Sequence, residues 1–538
     1  MKIYFNRSKL RKLMLVSLAS ILLTTFSCNF LEVEPKDVIN DKDFLNNFWD
    51  AQFMLSGTYQ TLQPIVGQEF ILGEVRADWV KPGTGADKDI TELAEHRISS
   101  TNKYTDWSIY YDLINRANYA IENVPRVPKD ANYFTNAVMK QYIGELKFLR
   151  ALGYFYLVRS FGDVPLIMET VDDVSKVKYV GATPQDVVLD SIEADLLEAY
   201  QYTDVVINVV NTFDAGVRES PEQTRLRATK GTVCALQAEV YLWQNKYAEA
   251  AAACQNFYNT GRYNNGPLNS GEQWISLFYN TNPFNEPMFD VNFTYASREI
   301  SPLMMFTSND PASGGKYMVA PSDVAIKSYN PSYPIIRTTN TTDEIYRGFG
   351  SSYVGSAPYY NRVTSAPVIW KFLALGRVAP ATLDVPAPVR EPYQSEAIWH
   401  VYRQGDLYLM WAEALNRLGQ KGLAIQRINS IRNRAGVVAA DAATNPFRIT
   451  TASSAEQIED VILREFGLEL GFEGRRWYTL MRMAKHRGSP QVIIDAVKRR
   501  APVVLHPHLE TTLADSKNWY LPYNANELRL NPNLKPKF

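Results

Sequence analysis

The sequence predicts a mostly α fold in which helix pairs carry a long, loop-rich insertion. Three observations predict it. Apolar residues recur with helical period in consecutive segments, glycines close those segments, and one long central stretch loses the period altogether. In residues 406–418, Tyr408, Trp411, Ala412 and Leu415 fall at i, i+3, i+4 and i+7, a single helical face that Gly419 ends. A second helix follows, with Ala424, Ile428, Ile431 and Ala435 on one face and Gly436 at its close. An earlier pair repeats the pattern: Ala238-Glu239 stands 12 residues ahead of Ala250, as Ala412-Glu413 stands 12 ahead of Ala424. Small residues at matched points let antiparallel helices approach closely, the packing logic of a tetratricopeptide (TPR) unit.

Other helices are marked by their starts. Thr183-Pro184-Gln185-Asp186 offers an N-cap, a first-turn proline and an acidic residue, and Ser453-Ser454-Ala455-Glu456 has the look of a capping box. Helical stretches are also expected over 47–62, 110–123 and 138–161. Between 261 and 392 Pro, Gly, Asn, Ser and Tyr dominate, with prolines at 283, 287, 302, 311, 321, 331, 334 and 358. A shorter loop of the same kind is expected over 67–104. Loops borne on a rigid helical scaffold are where recognition usually resides.

The N-terminus reads as an export signal. Met1 to Lys12 carries five basic residues and no acidic one, and an apolar or small run from Leu13 to Phe26 follows, too short to span a bilayer. Cys28 directly after the small Ser27 converts this into a lipoprotein signal, with Cys28 as the lipidated first residue of the mature chain. The expected organisation is then a signal peptide over 1–27, an N-terminal helical part over 28–260, the insertion over 261–392 and a C-terminal helical part over 393–538. Residues 28–538 are expected to form one compact unit.

Removing the five signal cations leaves 51 basic against 57 acidic residues, a net charge of −6. Nucleic acid rewards a basic stripe, so it is excluded as a partner. Cys234 and Cys254 lie in helix-like apolar surroundings and imply no disulfide framework. There is no P-loop, no dinucleotide fingerprint and no Gly-x-Ser-x-Gly elbow. His506-Pro507-His508 offers two metal ligands without a third, so neither metal nor cofactor is expected. The 32 Tyr, 24 Phe and 10 Trp fill cores, but they also make flat platforms for sugar rings.

Four stretches, in order along the chain, resemble the SusD/RagB family of nutrient-binding lipoproteins. They are Cys28-Asn-Phe-Leu-Glu-Val-Glu-Pro35, then Arg150-Ala-Leu-Gly-Tyr-Phe-Tyr-Leu-Val-Arg-Ser-Phe-Gly-Asp-Val-Pro-Leu-Ile167. Tyr408-Leu-Met-Trp-Ala-Glu-Ala-Leu-Asn-Arg417 with Ile428-Asn-Ser-Ile-Arg-Asn-Arg-Ala-Gly436 is the third. The fourth is Arg464-Glu-Phe-Gly-Leu-Glu-Leu-Gly-Phe-Glu-Gly-Arg-Arg-Trp477. The resemblance implies a SusD-like α-α superhelix, anchorage at the exterior face of the outer membrane, and a SusC-like TonB-dependent transporter as partner. It also implies capture of oligosaccharides or, in the RagB branch, peptides.

Within the fourth stretch Glu465, Glu469 and Glu473 lie at i, i+4 and i+8, and are expected to hold helices together through arginines such as Arg432 or Arg434. A glycosidase would need two carboxylates facing each other across a sugar, and no pair here is singled out. The protein is therefore expected not to be an enzyme. Binding a sugar needs an aromatic face and a few directional polar groups. Glu74-Val-Arg-Ala-Asp-Trp-Val-Lys81 supplies that mixture, and by resemblance the segment between the first two helices contributes to the ligand site. Arg76, Asp78, Trp79 and His96 are the candidates there; Tyr295, Arg298, Tyr317 and Tyr353 are those of the insertion. A surface hydrolase and a TPR-like assembly scaffold without a small ligand stand as alternatives. An acid/base pair in a cleft would favour the first, and the lack of a solvent-facing aromatic patch the second.

Overall fold

Helices in this chain begin where a side chain can occupy the free N–H groups of the first turn. α1 (Phe48–Gln60) opens at Asn47, whose side chain accepts from Trp49 N while Asp50 reaches back to Asn47 N. The structure, a computed structural model, describes residues 45–171, 177–206, 224–260, 268–279, 286–311, 314–331, 346–355, 366–377, 390, 395–437, 445 and 447–537. After α1 come α2 (Leu62–Glu74), β1 (Val80–Pro82), α3 (Lys88–Glu95), α4 (Ser108–Asn123) and α5 (Asn136–Phe161). α6 (Gln185–Tyr202), α7 (Lys230–Trp243) and α8 (Tyr247–Asn259) complete the N-terminal helices. The central stretch holds short pieces: β2 (Pro287–Val291), α9 (Leu303–Thr307), β3 (Val319–Pro321), α10 (Asp323–Tyr329), β4 (Tyr353–Val354) and β5 (Val368–Ile369). β6 (Trp399–Arg403) leads into α11 (Gln404–Arg417), α12 (Lys421–Arg434), α13 (Ala455–Leu470) and α14 (Arg476–Arg487). α15 (Gln491–Arg500), α16 (His506–Ala514) and α17 (Ala525–Leu530) close the chain.

The fold is mostly helical and built from TPR-like pairs. α5 packs on α6, α7 on α8 and α11 on α12, and α8 against α11 joins two of the pairs. Ala238, Ala250, Ala412 and Ala424 are all fully buried at the close approaches their spacing predicts. The glutamate after each first alanine is used alike: Glu239 and Glu413 are both buried and both take arginine partners.

Two starts differ in detail from expectation. α6 begins after Pro184, but Asp163, not Thr183, accepts from Gln185 N. At α13 the reciprocal box forms between Ser454 and Gln457. The expected loop over 67–104 is a larger correction, since α2 runs on to Glu74 and α3 lies beyond it. Ile65, Val66, Phe70, Ile71 and Leu72 bury α2 on every side, so it shows no apolar stripe. Its Gly73, which reads as a breaker, faces the Gly474 carbonyl with no room for a Cβ.

Three two-stranded antiparallel ladders stitch the central stretch down. β1 pairs with β3 (Val80 opposite Pro321), β2 with β6 (Val291 opposite Trp399) and β4 with β5. Beside them lies a buried charge network. Arg403 reaches Glu286 at 2.8 Å, Glu469 at 2.5 Å and Glu473 at 3.0 Å, and Lys371 reaches Glu473 at 2.8 Å. Arg347 bridges Glu465 (3.1 Å) and Glu469 (3.2 Å), Arg432 pairs with Glu465 at 2.9 Å, and Arg434 pairs with Glu469. The three glutamates of the fourth motif thus hold elements together, as their spacing and the nearby arginines predict. Such burial is tolerable only with complete pairing. Desolvation alone would raise Glu473, but Arg403 and Lys371 hold it at about 2.

Candidate ligand-binding site

The two loop regions singled out by sequence do meet. β1 and β3 zip them together, Ser322 donates its amide to Trp79 O (2.8 Å) and its hydroxyl to Asp78 O (2.6 Å), and Lys81 pairs with Asp323 at 3.0 Å. Six of the eight candidate residues, however, are buried: Arg76, Asp78, Trp79, His96, Tyr317 and Tyr353. Each is used inside the fold. Arg76 donates to Trp519 O at 2.6 Å and lies 4.3 Å over the Trp477 ring, and burial pulls it down to about 9. Asp78 accepts from Arg476 (2.7 Å) and Arg499 (3.0 Å); burial would raise its carboxyl, but the two guanidiniums hold it below its ordinary range. Trp79 packs edge-on to Tyr329 at 5.1 Å against Gly467.

His96 ends α3 with a left-handed φ of 54° and donates from Nε2 to Arg76 O at 2.9 Å, and burial keeps its ring neutral. Tyr317 donates to Pro367 O and Tyr353 to Asn330 Oδ1, at 2.7 and 2.8 Å. These six therefore support the surface from beneath and do not line it. The residue types suit a sugar, but the same types also fill a polar core, and nothing local in the sequence separates the two.

Tyr295 and Arg298 are at the surface. Tyr295 is 44% exposed on a 3-10 turn (Tyr295–Ser297), and its amide is fixed by Glu396 at 2.7 Å. Arg298 ends the turn at φ 61°, donating its amide to Tyr295 O at 2.8 Å. A non-glycine residue held there is backbone strain of the sort found at ligand clamps. Aromatic ring and guanidinium come from one turn.

Sequence reasoning missed a groove of about 390 Å³ whose walls include Trp107, Tyr111, Tyr179 and Leu530. α4 builds its floor: Asn115 exchanges hydrogen bonds with Val171, Asn118 donates to Ile167 O and Glu169 O, and Tyr111 donates to Pro165 O. These amides are spent on holding the 165–171 strap; aromatic faces line the groove together with Ser108, Lys178 and Glu527. Its walls come from three distant parts of the chain, so no local motif marks it.

Cys28 lies outside the described residues. Cys234 and Cys254 are buried free thiols. His506 and His508 turn their Nε2 atoms to backbone carbonyls, and among the described residues no cluster of three metal-ligating side chains occurs. No described helix is long and apolar enough to cross a membrane.

Comparison with known proteins gives a consistent picture. A family model described as the SusD family matches residues 351–537, and one described as starch-binding and associating with the outer membrane matches residues 29–242. A SusD-like protein of Formosa agariphila is 26% identical over 489 residues, covering 85% of this chain and 88% of its own. Among solved structures, a SusD superfamily protein from Bacteroides vulgatus superposes with a TM-score of 0.71 at 19% identity, over 92% of this chain and 99% of that one. A laminarin-binding SusD-like protein does so with a TM-score of 0.66 at 22% identity, over 91% and 99%. At these identities the superpositions show the shared fold.

Proposed function

The chain belongs to the SusD family, and on that premise we propose that it is a surface lipoprotein that captures oligosaccharides for a SusC-like TonB-dependent transporter of the outer membrane. The observation that carries the capture step is the Tyr295–Arg298 turn, which brings an aromatic ring and a guanidinium to the surface on a strained backbone. A pyranose face stacks on such a ring while the guanidinium takes its hydroxyls. The starch-binding description of the N-terminal family model and the laminarin-binding neighbour support a glycan as cargo. Cys28 supplies the anchor, on the reading of the leader given above.

The protein binds without turnover. Of its motif carboxylates, Glu465, Glu469 and Glu473 are all buried in ion pairs, which leaves them no role as acid and base across a sugar. The aromatic groove of Tyr179 gives a second place where a sugar could stack, through its exposed ring.

Calorimetric titration of the chain without residues 1–27 against glycans and peptides, with product analysis, tests this. Saturable glycan binding of micromolar order or weaker is expected, with products unchanged and about tenfold weakening in Tyr295→Ala. Weakening in Tyr179→Ala instead would move the site to the groove. Peptide binding alone would place the protein in the RagB-like branch, and cleavage of any ligand would overturn the non-enzymatic reading. Co-purification of a SusC-like barrel from native membranes is the expected sign of the transporter partner.

A further inference from the structure

Buried cations in this fold are, as a rule, paired. Arg403 has three carboxylates, Arg476 has Asp78, Arg482 has Glu413, and Arg159 has Glu69 and Glu239. Exceptions among the described residues include Arg390, which donates to Phe278 O at 2.6 Å, and a group of cations near the C-terminal tail. Lys537 places Nζ 4.5 Å from the Tyr523 ring centroid and 5.7 Å from that of Tyr520, and donates to Leu521 O at 3.1 Å. Lys485 places Nζ 4.1 Å from the Trp243 ring centroid and 5.6 Å from that of Tyr520. Arg76, bonded to Trp519 O, leaves Nε and Nη1 without an acceptor. Among the described residues no carboxylate lies within ion-pair distance of any of these three, nor of Lys517 or Lys535. Asp163, which also lines the cavity described next, is the acid whose charge acts on Lys537, and its Oδ1 accepts from Gln185 N at 2.9 Å. The imbalance shows in their proton affinities: burial draws Lys537 down to about 7 and Lys485 to about 8, with Arg76 further depressing Lys537.

Lys537 faces a cavity of about 520 Å³ between the C-terminal tail and the end of α5. Lys517, Lys535 and Lys537 line it, with Asp163 and the rings of Tyr520 and Tyr523. The size is that of a small-ligand site. Around the half-buried Lys537, water would satisfy the donors without offsetting the charge, whereas an anion does both. We propose that this cavity binds a small oxyanion, of the carboxylate or phosphate class, through the ammonium groups of Lys517, Lys535 and Lys537, with Arg76 and Lys485 supplying uncompensated positive field behind it. The proposal is independent of where the glycan binds.

Isothermal titration at low salt with inorganic phosphate, gluconate and glucose tests it. Saturable binding of phosphate or gluconate but not glucose is expected; tighter phosphate points to a free ion, and tighter gluconate to an acidic group on a larger ligand. Lys517 and Lys535 are exposed, so Lys517→Ala with Lys535→Ala leaves packing intact, and the pair should weaken binding about tenfold or more. Lys537→Met should do the same. Lys316→Ala with Lys327→Ala, exposed elsewhere, should leave it unchanged. Absence of saturable binding, equal binding of glucose, indifference to the cavity variants, or equal weakening in the Lys316/Lys327 control would each overturn the proposal.

Discussion

Gly73 in α2 faces the backbone carbonyl of Gly474, and a backbone cannot swing aside as a side chain can. Gly73→Ala should cost about 3 kcal/mol or more in urea unfolding, while Gly57→Ala, with open space around it inside α1, should stabilise by about 0.5–1 kcal/mol. Next to Gly73, burial pushes Glu74 up to about 8 in spite of the amide of Arg475 donating to it. The folded state then keeps a proton that the unfolded chain loses near 4.5. Stability therefore falls as pH rises from about 4.5 to about 8, and the full penalty stands above that window. Glu74→Gln should leave stability near pH 4 unchanged and raise it by several kcal/mol near pH 9, read from urea midpoints at the two values. Single residues are also where sequence reasoning fails for the ligand site. Arg76, Asp78 and Trp79 have the right chemistry for a sugar, yet their partners Trp519, Arg476 and Tyr329 lie hundreds of residues away. Burial is set by those distant partners.

At the level of elements, legibility follows the strength of the local signal. α7, α8, α11 and α12 are readable because small residues and apolar faces agree with one another, and glycines follow α11 and α12. Ala250→Leu or Ala424→Leu should force the paired helices apart at a cost of about 1–3 kcal/mol by thermal or urea unfolding. α13 depends on its box, so Ser454→Ala should cost about 1 kcal/mol. α2 escapes notice because it is apolar all round, and the ladders β1–β3 and β2–β6 because they join strands far apart in sequence. The 390 Å³ groove is hidden for the same reason, with α4, the strap and the C-terminal tail each giving part of the wall.

Across the whole molecule, what makes the family recognisable is the framework and not the ligand site. The stretch from Arg464 to Trp477 supplies Glu465, Glu469 and Glu473 to the buried charge network and Arg476 to Asp78. Glu473 is held at about 2 against an ordinary 4.5, which gives stability fully present above about 4.5 and lost as pH falls through 2. That one group should contribute about 3 kcal/mol to the difference between urea midpoints at neutral and strongly acid pH, and Glu473→Gln should shrink the difference accordingly. The network also has a geometric consequence. Glu286, Arg347 and Lys371 are fixed points spaced along the central stretch, each moored to the C-terminal part of the chain. Chain between two moorings can change in length or composition at little cost, because loop closure grows only slowly with length. If the Tyr295–Arg298 turn holds the ligand as proposed, binding preference can therefore drift, or be transplanted from one such protein to another, segment by segment, without the framework having to be reinvented each time.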